Sequence, residues 1–131
     1  MLNKLILVFF GGAVGAAARE LAVMIGHQFH GHFPTAILTA NLVAAFLIGL
    51  VTALAVENGP INQDVKLFTN TGMMGGLSTF SSLIWGTLIL WGEPGERLLG
   101  GVYLVISVVA GLVLVELGLR LGRSMTSRPA E

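Results

Sequence analysis

The 131-residue sequence contains no cysteine and few charged side chains. The absence of cysteine excludes disulfides and thiolate metal sites. Charged residues make up 11% of the chain, whereas a soluble domain carries about 25%. Lysine and arginine balance aspartate and glutamate, so the chain has no basic field that would attract nucleic acid. Because hydrophobic residues reach 54%, the composition predicts an integral membrane protein in contact with a lipid bilayer.

Four apolar segments are each long enough to cross a bilayer as a helix, which takes about 20 residues. They cover approximately residues 2–25, 35–56, 65–91 and 97–122. The first starts with Lys4 and an apolar run, as a signal peptide does, but three more apolar segments follow, so we interpret it as a membrane helix. The sequence predicts an all-α, multi-pass membrane protein, with one four-helix domain over residues 1–125 and a polar tail at 126–131.

Basic residues are distributed unequally between the two sides that four crossing helices define. The side of the termini holds Lys4, Lys66, Arg120, Arg123 and Arg128, and the other side holds Arg19 and Arg97. The positive-inside rule therefore predicts cytoplasmic termini. The loop between the first two segments contains His27, His30 and His32, whose spacing could suit a metal. A solvated loop is the favoured interpretation, because no carboxylate lies nearby in sequence.

Small residues recur at helical spacing in the first and fourth segments. The two sets are Gly11, Gly12, Gly15 and Ala16, and Ser107, Gly111, Gly118 and Gly122. Such faces allow close approach of membrane helices, so we predict that they serve packing rather than chemistry.

Polar groups inside the predicted spans are costly in a bilayer and are therefore functional candidates. Asn41 could donate to an anion or brace a neighbouring helix. Arg19 could draw anions into a vestibule or extend its charged end to the membrane interface. Glu116 and Arg120 are spaced i, i+4 and are predicted to pair. No combination of nucleophile, base and acid is present, so the chain is not expected to be an enzyme.

The most informative segment is Thr71–Ser82, which places three glycines and several hydroxyl residues inside an uncharged run from Leu67 to Gly92. Glycine weakens a helix and Ser and Thr offer competing hydrogen bonds, so a break is expected at the glycine pair 75–76. Irregular backbone is tolerated in a membrane only where it is buried in protein or lines a polar space. Carbonyls freed near Gly75 and Ser78 would suit a small hard cation. The hydroxyls beyond the break, the Asn41 amide and the ring edge of Phe80 would suit a strongly hydrated anion.

Three motifs together resemble the Fluc (CrcB-type) fluoride channels. They are Gly75-Gly76-Leu77-Ser78-Thr79-Phe80-Ser81 preceded by Thr71-Gly72, Asn41-Leu42-Val43 followed by Gly49, and Gly11-Gly12 with Gly15 and Arg19. The resemblance covers nearly the whole chain. It implies a bacterial inner-membrane channel that exports fluoride passively. It also implies an antiparallel, dual-topology homodimer with two pores and one central sodium ion, which is structural and not transported.

The resemblance also implies roles for particular residues. The sodium ligands would be the backbone carbonyls of Gly75 and Ser78. The fluoride path would include Asn41, Phe80, Ser81, Ser82 and, in place of a second pore phenylalanine, Leu83, with Arg19 in the vestibule. The chain departs from the family at Leu83, at Ile84, where a hydroxyl is usual, and at Gly86, where a glutamate is common.

These departures leave two assemblies open, a homodimer with altered pores or a heterodimer that needs a homologous partner subunit. A small multidrug-exporter-like transporter is a further alternative. That class needs a membrane-embedded glutamate in its first helix, for which Glu20 is the candidate. A structural assembly subunit would leave the hydroxyl-rich third segment unexplained.

Overall fold

A computed structural model of the chain describes residues 1–27, 33–56 and 60–126. Over those residues all regular secondary structure is helical. It consists of α1 (Leu2–His27), α2 (Thr35–Leu54), α3 (Gln63–Lys66), a π-helical segment (Leu67–Met74), α4 (Gly75–Leu77), α5 (Phe80–Gly92) and α6 (Arg97–Thr126). The side chain of His27, the residues His30, His32 and Arg128, and the tail beyond Thr126 lie outside the described part.

Four helical stretches are long and apolar enough to cross a membrane, as the sequence predicts. They are Leu2–Ile25, Thr35–Leu54, Gln63–Gly92 and Arg97–Thr126. The third joins four helical elements from α3 to α5 across one interruption, and the fourth continues one turn beyond the predicted end at residue 122. The described chain is thus an all-helical, four-span protein.

Consecutive spans run in opposite directions, but the closest backbone contacts join alternate spans. In α1, a Cβ added to Gly15 would overlap the carbonyl oxygen of Met73 and lie 2.8 Å from the amide nitrogen of Leu77. A Cβ added to Gly11 would likewise overlap the carbonyl oxygen of Phe68. The predicted small-residue face of the first helix therefore packs against the first half of the third span, with both running in parallel.

The second and fourth spans form a similar parallel pair. A Cβ on Gly49 would overlap the carbonyl oxygen of Val115, and a Cβ on Gly118 would overlap that of Phe46. Gly122 lies against α2 in the same way, whereas Gly111 has no atom within 4 Å of a built Cβ in the described chain. Most of the predicted α6 face is therefore used for packing within this chain.

The second half of the third span packs antiparallel against α6. Leu83, Leu90 and Tyr103 form a buried cluster between the two helices. At the end of this pair the Trp91 indole N–H donates to the carbonyl of Arg97 at 3.0 Å. Gly95 has φ +88°, a left-handed conformation that favours glycine, and so permits the tight turn between α5 and α6.

The third span is interrupted at Ser78 and Thr79, whose backbones are extended (φ −99°, ψ 126° and φ −136°, ψ 137°). The interruption begins two residues beyond the expected break at the glycine pair. Gly76 stays helical and lies so close to the carbonyl of Gly12 in α1 that a Cβ would overlap it. The glycine pair therefore permits close packing against α1, and the break follows it.

Candidate functional site

Polar side chains from three spans converge at the break in the third span. The amide N–H of Thr79 donates to Oδ1 of Asn41 in α2 at 3.3 Å. Nη1 of Arg19 in α1 donates to Oγ1 of Thr79 at 3.2 Å and to Oγ of Ser82 at 3.3 Å. The hydroxyls of Thr79 and Ser82 are also hydrogen-bonded to each other. We call Arg19, Asn41, Thr79 and Ser82 the break cluster.

Side-chain acceptors in the break cluster replace the backbone acceptors of a continuous helix. In an α-helix the N–H of Thr79 would donate to the carbonyl of Gly75, four residues earlier. Here it donates to Asn41 instead. The N–H of Ser82 would likewise donate to the carbonyl of Ser78, but it donates to Oγ1 of Thr79 at 3.2 Å. Both carbonyls predicted as cation ligands therefore lack their α-helical partner.

The surroundings of Gly75 are open within the described chain. Gly75 is exposed, and a Cβ built on it would have no atom of the described chain within 4 Å. Backbone carbonyls are hard oxygen ligands, suited to small hard cations. No group of three His, Cys, Asp or Glu side chains that could hold a metal occurs among the described residues. The backbone carbonyls of Gly75 and Ser78 stay the predicted cation ligands at the break.

The orientation of the Asn41 amide follows from its hydrogen bond. Because the backbone of Thr79 is a donor, the atom that faces it must be the amide oxygen. The NH₂ group then points away from this bond, and no described residue accepts a hydrogen bond from it. Asn41 therefore braces the break through its oxygen and keeps the two protons of its NH₂ group available.

The predicted pore residues do not all lie in the same environment. Phe80 is 76% exposed and Ser81 is exposed, both in the first turn of α5. Leu83 is 8% exposed and packs with Leu90 and Tyr103. The structure thus brings Ser82 and Asn41 together, leaves Phe80 and Ser81 open beside them, and places Leu83 in the packed cluster.

The space around Gly86 is filled by other residues. A Cβ on Gly86 would lie 2.9 Å from the Tyr103 hydroxyl oxygen and 3.1 Å from Cγ of Pro34. That hydroxyl oxygen is buried and has no hydrogen-bond partner among the described residues. A glutamate at this position would therefore displace Tyr103 in this chain.

Two hydroxyls in the packed region are occupied within their own helices. Ser107 donates to the carbonyl of Tyr103 at 2.6 Å, and Thr87 donates to the carbonyl of Leu83 at 3.0 Å. Both residues are buried. Neither hydroxyl proton is therefore available to a ligand in this arrangement.

The charged residues of the spans take different positions. Nη1 of Arg19 is bound to the two hydroxyls of the break cluster. Arg120 and Glu116 form the predicted pair at 2.7 Å. Glu20 is exposed on α1 and has no contact with the break cluster.

Asn70, in the π-helical segment, was not predicted as a functional residue. Its Nδ2 donates to Oγ1 of Thr52 at 2.8 Å and to the carbonyl of Ile48 at 3.2 Å. Its Oδ1 is buried and unpartnered among the described residues. The sequence signal was an isolated amide in an uncharged span, which marks it as an interhelical contact.

The π-helical segment is itself unusual. π-Helical turns are rare in proteins, and those that occur often lie at functional sites. The third span therefore has two irregular parts, the π-helical segment and the break.

Comparison with known proteins places these features in context. Residues 6–119 match the family model described as "CrcB-like protein, Camphor Resistance (CrcB)". The chain is 46% identical over 122 residues to "Fluoride-specific ion channel FluC 3" of Yersinia pseudotuberculosis, covering 93% of this chain and 90% of the relative. It is 36% identical to "Fluoride-specific ion channel FluC" of Methylobacillus flagellatus, covering 90% and 93%. A match to "Fluoride-specific ion channel FluC 1" of Brucella abortus is 43% identical, but the chain spans only 45% of that relative's length.

Proposed function

The chain belongs to the CrcB-like family, and from that premise we propose that it is a fluoride channel of the bacterial inner membrane that lowers cytoplasmic fluoride. Two relatives that match nearly the whole length of this chain are named fluoride-specific ion channels. Hydrogen fluoride enters cells as a neutral acid and ionises at cytoplasmic pH. A passive anion pore then suffices for export, because each charge gains about 2.3 kcal/mol per 100 mV of negative interior potential.

The observation that carries the proposal is the set of donors at the break in the third span. Fluoride holds its water strongly, so a pore has to offer hydrogen-bond donors in place of that water. The Asn41 NH₂ group, the hydroxyls of Ser81 and Ser82 and the exposed ring of Phe80 are such groups at neighbouring positions. These residues form the proposed fluoride path, with Leu83 as its continuation toward α6.

A structural sodium ion at the break is part of the proposal. The carbonyls of Gly75 and Ser78 would hold it, since both have lost their α-helical donors to side chains. The bound cation would fix the broken backbone by coordinating oxygens that lack their α-helical donors. It would not be transported.

We further propose an antiparallel homodimer in dual topology, with two pores. Two carbonyls from one chain supply few ligands for a cation, and the open side of Gly75 leaves room for the same carbonyls of a second copy. The alternative assembly, with a homologous partner subunit, is supported by Leu83 and Ile84 and by the excess of basic residues on one side.

Growth of a fluoride-sensitive, exporter-deficient bacterial strain tests the function and the assembly together. Expression of this chain alone is expected to restore growth in fluoride, and Asn41→Ala is expected to abolish the effect at equal membrane expression. Absence of rescue by the native chain, with rescue after co-expression of a homologous subunit, would establish the heterodimer. Equal rescue by the native chain and the Asn41→Ala variant would refute the proposed path.

A further inference from the structure

We propose that Arg19 is a positioning residue that makes the Ser82 hydroxyl an obligatory donor toward the conducted anion. The proposal rests on the proposed fluoride path and adds to it a residue that acts without touching the ion. It differs from an anion-attracting vestibule charge, because the guanidinium group here acts through hydrogen bonds to two hydroxyls.

The direction of the hydroxyl bonds follows from counting donors and acceptors. A hydroxyl has one proton and two acceptor lone pairs, whereas a guanidinium group and a backbone N–H only donate. Oγ1 of Thr79 accepts from Arg19 at 3.2 Å and from the Ser82 N–H at 3.2 Å. Its acceptor capacity is then filled, so in its bond with Ser82 the Thr79 hydroxyl has to be the donor.

The same count of donors and acceptors determines that the Ser82 hydroxyl has to donate its proton. Its oxygen accepts from Arg19 at 3.3 Å and from the Thr79 hydroxyl. Both lone pairs are therefore used, and its own proton is left to donate. No described residue accepts that proton. The Ser82 hydroxyl can thus only donate outward, which is the requirement for an anion ligand.

Besides filling one lone pair on each hydroxyl oxygen, Arg19 strengthens the Ser82 hydroxyl as a donor. Both of its bonds come from the same nitrogen, Nη1, which shares its donation between the two neighbouring hydroxyl oxygens. Hydrogen bonds in a chain polarise one another, so a cationic donor at one end strengthens the outward O–H donor at the other. A strengthened, fixed donor favours small anions that accept strongly, so Arg19 is expected to set the preference for fluoride over chloride.

Without Arg19 the direction of the hydrogen bond between the Thr79 and Ser82 hydroxyls is no longer fixed. Each oxygen then has a free lone pair, and either residue can donate to the other. The Ser82 proton is no longer forced outward, although the hydroxyl is still present. Loss of Arg19 should therefore resemble loss of the Ser82 hydroxyl itself.

A double-mutant cycle in liposomes tests the inference. Fluoride and chloride efflux are measured for the purified chain and for Arg19→Gln, Ser82→Ala and the double variant. We expect each single change to lower the fluoride rate and the fluoride-to-chloride ratio by about tenfold, the size of one hydrogen bond to a charged group. The double variant should be no slower than Ser82→Ala alone. Multiplicative losses would overturn the proposal.

Two controls separate this role from others. Arg120→Gln is the matched control, because this arginine pairs with Glu116 and not with the break cluster. The rate losses of Arg120→Gln and Ser82→Ala should therefore multiply when the two changes are combined. Raising the salt concentration screens attraction by a vestibule charge. The ratio of native to Arg19→Gln rates should therefore be independent of salt. A ratio that falls toward one at high salt would overturn the positioning role.

Variants at Ser82 keep the test decisive if Arg19→Gln does not fold. Ser82→Thr retains the hydroxyl donor and Ser82→Cys offers a weaker one, so Ser82→Thr should conduct fluoride faster than Ser82→Cys. Equal rates for the two would contradict the inference. A native chain that conducts no fluoride would refute the proposed function instead, so the two failures are distinguishable.

Discussion

At the scale of single residues, Asn41 shows how one amide can act as an acceptor and still leave its donor group free. Its oxygen accepts the Thr79 N–H and so maintains the break, and its NH₂ group stays available as a donor. The two functions reside on different atoms of one side chain. They can therefore be separated by a substitution that retains the oxygen and removes the nitrogen.

Asn41→Asp is that substitution. The carboxylate can still accept the Thr79 N–H, so helical content and elution of the folded protein should be unchanged. The donor is replaced by a negative charge, and a like charge beside an anion costs several kcal/mol, so fluoride efflux should fall by at least about a hundredfold. Liposome efflux and circular dichroism measure the two effects. Retained efflux would show that the amide protons do not contact the ion.

The sequence identifies the chemistry of the break cluster more readily than its contacts. Asn41 and Ser82 are predicted because an amide and hydroxyls inside apolar spans are costly unless used. The bond from Arg19 to Thr79 connects residues 60 positions apart, and helical periodicity alone does not specify such a pair. Thr79 accepts from the Ser82 N–H because its own backbone is extended. Helix propensity read from the sequence places the break at the glycine pair 75–76 instead.

At the scale of elements, glycine positions determine which helices approach closely. Gly15 and Gly76 lie where α1 meets the first half of the third span, and neither has space for a side chain. Gly101, in α6, has no atom within 4 Å of a built Cβ in the described chain. Intrinsic helix propensity is the same for the three, so tertiary packing distinguishes them.

Gly15→Ala should destabilise the folded protein, because the new methyl group meets backbone atoms of Met73 and Leu77 that cannot move independently. We expect a loss of about 1–3 kcal/mol, typical of overpacking. Gly101→Ala is the matched control and should gain about 0.5–1 kcal/mol from helix propensity. Thermal unfolding in detergent compares them. Equal midpoints would contradict the described packing of α1.

The small-residue faces illustrate what the sequence can and cannot predict about elements. Helical spacing predicts that Gly15 and Gly118 serve packing, and the structure confirms it. Spacing does not name the partner helix, and parallel packing of alternate spans emerges only in three dimensions. The π-helical segment Leu67–Met74 contacts α1 at Gly72 and α2 at Asn70, and spacing along the sequence does not specify these partners either.

At the scale of the whole molecule, the described chain has an open site. Gly75 has no neighbour over it, and Phe80 projects a large apolar ring outward beside polar groups. The lengths of the apolar runs suffice to predict four spans and their approximate bounds. They carry no information about which outer face contacts lipid and which contacts another subunit, because both environments accept apolar residues.

We expect the purified chain in detergent to have a mass about twice the 13.8 kDa of one copy. The physical reason is that, in the proposed sodium site, two carbonyls from one chain would leave the cation shell incomplete and a second chain would supply the rest. Light scattering corrected for bound detergent measures this mass. A monomer that nevertheless conducts fluoride would contradict the shared cation site.

Fluoride efflux from liposomes containing this chain as the sole protein tests the central claim most directly. The account predicts rapid electrogenic release of fluoride when a potassium ionophore balances charge, with chloride released far more slowly. The matched Asn41→Asp liposomes should retain their fluoride. Release no faster than from protein-free liposomes, by a chain shown to be folded, would contradict the claim that this protein alone forms a fluoride channel.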